Sequence, residues 1–227
     1  MRRAWHTEHV GADESELRVA WQRHVGRGPA ADGWFETVLA DHREPHRHYH
    51  DLRHVAWVSR HARALAAADP VLPEPDLDRV IAAAFFHDVV YEATRTDNED
   101  ASAAVARRAL GEIGWGPAAV EHVAAMIAAT AGHTVDMPDD HPSDRCTAVL
   151  LAADLGVLAA DPAGYGDYVR GVRQEYGHLA DPEWRAGRAA FVRSMLERPS
   201  IYPAELGLHR WERRARANLT AELATLG

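Results

Sequence analysis

The stretch AAFFHDVVYEATRTDNE, residues 83 to 99, decides how the chain is read. An apolar run ends on His87 and Asp88, and a cluster of acids follows. Working back from that pair, Leu77, Ile81, Ala84 and Asp88 fall on one stripe, widened by Val80 and Phe85. The spacing therefore predicts a helix whose buried face closes at the pair. Imidazole and carboxylate both lose hydration on burial, so something there must compensate them. Neighbouring helical residues project about 100° apart, so the two could share an ion only if it sat over the helix end.

The same spacing of three and four recurs almost throughout, while the period-two alternation of strands is hard to find. The chain reads as all-α. Leu17, Trp21 and Val25 mark a first helix, and Trp34, Val38 and His42 a second. A helix from about Tyr49 to Ala68 carries Val55, Val58, Ala62 and Leu65 on a face that His54 shares, and Pro70, Pro73 and Pro75 end it. Asp97 is expected to cap a further helix, with Asp100 three places on, and Pro117 suits the first turn of the next. There Val120, Val123 and Ile127 point inward until Gly132 and His133 break the pattern.

The segment RCTAVLLAADLGVLAA, residues 145 to 160, is apolar nearly all round, as a central helix should be, yet it carries Asp154 in its middle. Tyr165, Tyr168, Val172 and Tyr176 follow as a core stripe of another helix, and residues 182 to 197 and 203 to 224 suggest two more. Trp21, Trp34 and Trp57 read as packing. No repeat or low-complexity linker divides the chain, so one domain is expected over residues 1 to 227.

With 47% hydrophobic residues, 227 residues suffice for a sizeable core, and the net charge of −9 argues against a nucleic-acid surface. The one basic run, HRWERRARAN, reads as a solvated helix face. All the basic residues are Arg, which carries no mechanism. The single Cys146 offers no internal disulfide, the amino terminus lacks a secretory apolar core, and no apolar run approaches a membrane span of about 20 residues. A cytoplasmic location is expected. The 15 histidines stand out, above all in DHREPHRHYHDLRH, residues 41 to 54.

A lone ionised carboxylate in an apolar helix costs several kcal/mol unless it is paired or bound to metal, and Asp154 has no obvious Arg beside it in sequence. Imidazole with carboxylate suits a divalent transition metal such as Mn, Fe, Co, Ni or Zn, and the lack of a Cys cluster disfavours a structural zinc site.

The order of these elements resembles the HD-domain superfamily of metal-dependent phosphohydrolases, whose signature is a His, a His-Asp dyad and a distant Asp on successive helices. HVAWVSRHARALA resembles the first element, FFHDVVYEAT the second and LLAADLGVL the third. RHYHDLRH, FHDVVYEATRTDNEDASA, IAATAGH and VRQEY are similar to a bacterial group of predicted HD phosphohydrolases, extending the likeness over about residues 47 to 202. The resemblance implies an HD-type helical bundle with a metal-binding core at about 47 to 160, and one or two ions held by His54, His87, Asp88 and Asp154. It also implies hydrolysis of a nucleotide or another small phosphoester. It leaves the substrate open.

His50, one turn before His54, is the alternative first ligand, although Val58 and Ala62 fall at the superfamily's usual offsets from His54. His133 stands where two-metal members carry an extra His, and would bind a second ion or the phosphate, or else simply cap its helix. HDVVYEAT also resembles the HDVVEDT of guanosine tetraphosphate hydrolases. Tyr91 replaces the first acid there, which counts against that activity, and Glu92 keeps the second, either as a candidate base or as a solvated loop acid. Asp97, Asn98 and Glu99 could orient ligands. Arg47, Arg53 and Arg95 carry forks that suit phosphate, with surface salt bridging the plainer role for any one of them. Two rival readings remain: a di-iron oxygenase of the same fold using His122, His133 and His141, and a non-catalytic sensor of a nucleotide or metal.

Overall fold

A computed structural model of the protein describes residues 4–68, 74–132, 142–203 and 206–227. Among the described residues the secondary structure is entirely helical. The helices are Ala4–His24 (α1), Pro29–Asp41 (α2), Leu52–Ala68 (α3), Glu74–Phe86 (α4), Asn98–Ile113 (α5), Pro117–Ala129 (α6) and Pro142–Asp154 (α7), then a 3-10 helix over Leu155–Ala159. Pro162–Glu175 (α8), Asp181–Glu197 (α9) and His209–Leu226 (α10) complete the order. No single described helix is long and apolar enough to cross a membrane.

The apolar stripes become two adjoining cores. In the first, α4 packs between α1, α3, α6 and α7, so its residues from Val80 to Phe86 are all buried. The Trp21 ring meets Phe85 edge-on at 5.1 Å and leans on Phe35 and Phe86. Each such side chain, fully buried, contributes roughly 1.5–3 kcal/mol. The second core gathers Tyr165 and Val172 of α8, Val192 and Met195 of α9, and Ala215 and Leu219 of α10 against the 3-10 helix. Helix α7 serves both, giving Val149, Leu150 and Ala153 to one and Ala152 to the other. That two-sided burial is why its sequence is apolar all round.

Three expected boundaries move, two of them for a physical reason that the structure displays. Helix α3 begins at Leu52 rather than near Tyr49, because the N–H groups of residues 48, 49 and 50 turn away to one carboxylate oxygen of Glu175. Asp154 is the last residue of α7 rather than the middle of a longer helix, for the chain tightens there into the 3-10 turn. The final helix starts at His209 instead of 203. Asp97 does hold the position before α5, but its side chain makes no cap and pairs with Arg95 instead. A true cap occurs at Asp161, which accepts from the N–H groups of Ala163 and Gly164. Pro70, Pro73, His133 and His141 lie outside the described residues.

Helix α8 lies unusually close to the segment before α3. A Cβ on Gly171 of α8 would stand 2.9 Å from the His48 carbonyl oxygen, so only glycine lets α8 lie against the 48–50 backbone.

Candidate metal centre

Four side chains from three parts of the chain meet where the two cores adjoin. His54 comes from the first turn of α3, His87 and Asp88 from the turn that ends α4, and Asp154 from the end of α7. His87 is held to its helix by its own N–H, which donates to the Ala83 carbonyl. The pair thus lies just past the helix end, where neighbouring residues can point to one place.

The donor atoms crowd a common centre. His54 Nε2 lies 3.0 Å from His87 Nε2, 3.2 Å from an Asp154 oxygen and 3.3 Å from an Asp88 oxygen. His87 Nε2 lies 3.1 Å from Asp88 and 3.7 Å from Asp154. Two ligands adjacent on an ion with bonds near 2.1 Å stand about 3.0–3.4 Å apart, so most of these separations are what a shared cation requires. His54, His87 and Asp154 present donor atoms all within 4.8 Å of one another and could hold a metal ion.

Electrostatics favour positive charge at that centre. Burial works against protonating His54, yet its hydrogen bonds to Asp154 and Asp88 outweigh this and raise its pKa. Burial opposes the charge of His87 too, and the neighbouring Asp88 carboxylate and Asp154 hold its pKa well above the ordinary value. Asp88 is desolvated as well, but the two imidazoles drive it well below the carboxylate range. His87 Nδ1 donates to the Ala84 carbonyl, so Nε2 is the nitrogen that faces the centre, where an ion would take the place of its proton. His54 Nδ1 is buried without a hydrogen-bond partner, so its ring orientation rests on packing, including Tyr49 at 4.8 Å.

Around the four lies a scaffold of spent polar groups. Arg47, with its guanidinium fully buried, donates to the carbonyls of His50, Asp88 and Val89 and to Glu44. It braces the His-Asp turn from behind, so its fork is not available to a phosphate. Glu175 accepts from the backbone N–H groups of His48, Tyr49 and His50 at 2.7–2.9 Å. Its second oxygen takes His50 Nδ1 at 2.8 Å and the Tyr91 hydroxyl at 3.0 Å. Burial alone would raise the Glu175 pKa, but the bond from His50, the His50 charge and the backbone donors push it down to about 2. The His50 ring, so anchored, stacks on Tyr91 with centroids 4.1 Å apart.

A cleft of about 560 Å³ opens on this centre, lined by His50, Asp88 and Asp154, by Asn98 and Glu99, and by aromatic side chains that include Tyr168, Trp184 and Phe191. The structure therefore brings His54, His87, Asp88 and Asp154 together and lines the approach with His50, Tyr91, Asn98 and Glu99. Glu92 is not brought in. Its side chain is 55% exposed with His46 4.0 Å away, it does not line the cleft, and both amide atoms of Asn98 hold its backbone. Asp97 and Arg53 are exposed and engaged with Arg95 and Asp51. His122 lies on α6 away from the cleft lining.

Glu175, within VRQEY, has a role that the sequence alone does not disclose. A carboxylate at the inner face of a helix whose neighbours Val172 and Tyr176 pack inward was the available signal. No protein-family model, curated protein or solved structure matches the chain. The all-α fold stands on the structure, and the HD-type likeness stands on the motifs.

Proposed function

We propose that the protein is a metal-dependent phosphohydrolase of the HD type, acting in the cytoplasm on a nucleotide or another small phosphoester, with neither nucleic acid nor membrane as partner. The observation that carries this reading is the convergence of His54, His87 and Asp154, with Asp88 against both imidazoles, beside a substrate-sized cleft that Asp88 and Asp154 line. His54, His87, Asp88 and Asp154 would hold the ion. One or two divalent transition ions there would supply Lewis acidity at the phosphoryl oxygen and a more acidic attacking water.

The chain's own groups account for the rest. Water oxygen adds to phosphorus, the ester P–O bond breaks, and the departing oxygen needs a proton to leave as an alcohol beside inorganic phosphate. His50 is better placed than Glu92 to give that proton: its ring lines the cleft and its Nδ1 is tied to Glu175, leaving Nε2 as the remaining nitrogen. Tyr49, packed on His54, helps to keep bulk water off the ligand ring.

Elemental analysis of the purified protein, paired with a screen of phosphoesters under several metals, tests the reading. A stoichiometric divalent ion and metal-dependent phosphate release are expected. Oxygen uptake with iron bound and no phosphate released would favour the oxygenase, and a bound nucleotide that survives prolonged incubation with saturating metal would favour the sensor.

A further inference from the structure

The cleft lining is of two unlike kinds. Asp88, Asp154 and His50 supply polar groups from the candidate metal centre, whereas Val172, Tyr176, Leu179, Trp184 and Phe191 supply an apolar wall. Tyr176 and Trp184 lie 5.7 Å apart and tilted, so together they make an angled aromatic surface rather than a closed stack.

The cations along this cleft are already engaged. Arg188, buried, gives Nε and Nη2 to Glu222 and Nη1 to the Tyr168 hydroxyl, while Arg95 forks onto both oxygens of Asp97. Besides Thr96, Asn98 and Thr130, a chain of phosphates extending from the metal centre would meet, among the described residues that line the cleft, apolar rings, the carboxylate of Glu99, the buried Arg188 held by Glu222 and the exposed Arg95 paired with Asp97. Each further phosphate would need a charge partner that the wall does not hold out. An uncharged planar body instead finds apolar area and ring faces.

Helix α9 also leaves a notch in the wall. Gly187 lines the cleft one turn from both Trp184 and Phe191, and a Cβ built on it meets nothing within 4 Å. The space between those rings stays open because that residue has no side chain.

We propose that the wall is the leaving-group subsite, that it takes the planar aromatic body of a phosphomonoester with a single phosphate, and that Gly187 sets its depth. The word leaving-group rests on the phosphohydrolase reading; the apolar subsite does not.

The test compares Gly187→Leu and Trp184→Ala with the wild type in two ways. Turnover of 1-naphthyl phosphate is measured against methyl phosphate, and calorimetry follows binding of 1-naphthylmethylphosphonate, whose P–C bond does not hydrolyse. Both variants should lower the naphthyl-to-methyl ratio of kcat/KM by about tenfold and weaken phosphonate binding by about as much. Leu forms helix better than Gly, so the Gly187→Leu effect would not reflect loss of α9, and circular dichroism checks this. If no ester is hydrolysed yet phosphonate affinity drops tenfold in both variants, the subsite stands and the phosphohydrolase reading falls. A wild type that does not bind the phosphonate, or variants that keep its ratio and affinity, would overturn the subsite.

Discussion

Two clusters of buried charge border the same cleft on opposite plans. Arg188 and Glu222 form a bidentate pair, with Tyr168 accepting from the guanidinium and Tyr165 donating to the carboxylate. Every charge there meets its opposite, so the cluster is complete. At the other, two imidazole nitrogens face each other at 3.0 Å among two carboxylates. Its negative charges match only if protons or a divalent ion occupy the centre. A polar cluster that completes itself supports the fold, and one that needs a visitor is a site.

The largest expected effect lies at the open cluster. Either His87→Ala or Asp154→Ala should strip the ion, as read by elemental analysis, and lower phosphate release by about a thousandfold or more while circular dichroism keeps the helical signal. Wild-type metal content in both variants would count against the ligand set. Chelation should likewise lower the melting temperature of the wild type, since an ion bound only by the folded state stabilises it.

The closed cluster should behave the other way. Arg188→Met leaves the Glu222 carboxylate buried without its cation and should cost about 3–5 kcal/mol in urea unfolding, with metal content unchanged. Replacing both partners, Arg188→Met with Glu222→Leu, removes the stranded charge and should recover much of that loss. A double variant no more stable than the single one would show that this pair holds the fold by more than mutual neutralisation.

Glu175 stands between the two plans, complete in its hydrogen bonds yet holding a cleft residue. Its folded pKa of about 2 lies below the unfolded value, so its stabilisation is fully present above about pH 4.3 and is lost as pH falls toward 2. The shift corresponds to stabilisation on the order of 3 kcal/mol. Glu175→Gln lacks this dependence, so the melting-temperature gap between wild type and variant should narrow as pH drops from 5 to 3. A gap constant over that range would mean that the carboxylate charge does not hold the 48–50 turn.

How much of this was legible depends on the range of the interaction. Helix faces were, because Val55, Val58, Ile81 and Ala84 repeat at the helical period, and polar residues set into those faces announced themselves as His54, His87 and Asp154. What periodicity cannot carry is a bond between positions 125 residues apart, as between His50 and Glu175, so the start of α3 was drawn too early. Proximity in sequence does not separate the alternatives at Arg47, whose fork suits phosphate and peptide carbonyls alike and here takes the carbonyls, or at Glu92, which follows the dyad but does not line the cleft. Tyr168 of α8 and Tyr176, the residue that caps it, continue one core stripe and yet also line the cleft, because a helix at the edge of a core presents one flank to each.

The smallest effect separates the plans most sharply. Tyr91 donates to Glu175 and Tyr165 donates to Glu222, two buried phenol-to-carboxylate bonds of the same kind. In both cases burial, with the adjacent carboxylate, raises the phenol pKa, so each hydroxyl keeps its proton and stays a donor at neutral pH. Tyr91→Phe and Tyr165→Phe each remove one such bond and leave the acceptor with other donors, so each should cost about 1–2 kcal/mol in urea unfolding. Only Tyr91 also stacks on His50 and helps to fix the oxygen that holds His50 Nδ1. Tyr91→Phe should therefore lower kcat severalfold and alter its pH profile, while Tyr165→Phe leaves both within experimental scatter. Equal losses of activity in the two variants would remove His50 from the chemistry and leave Glu175 as a structural clamp.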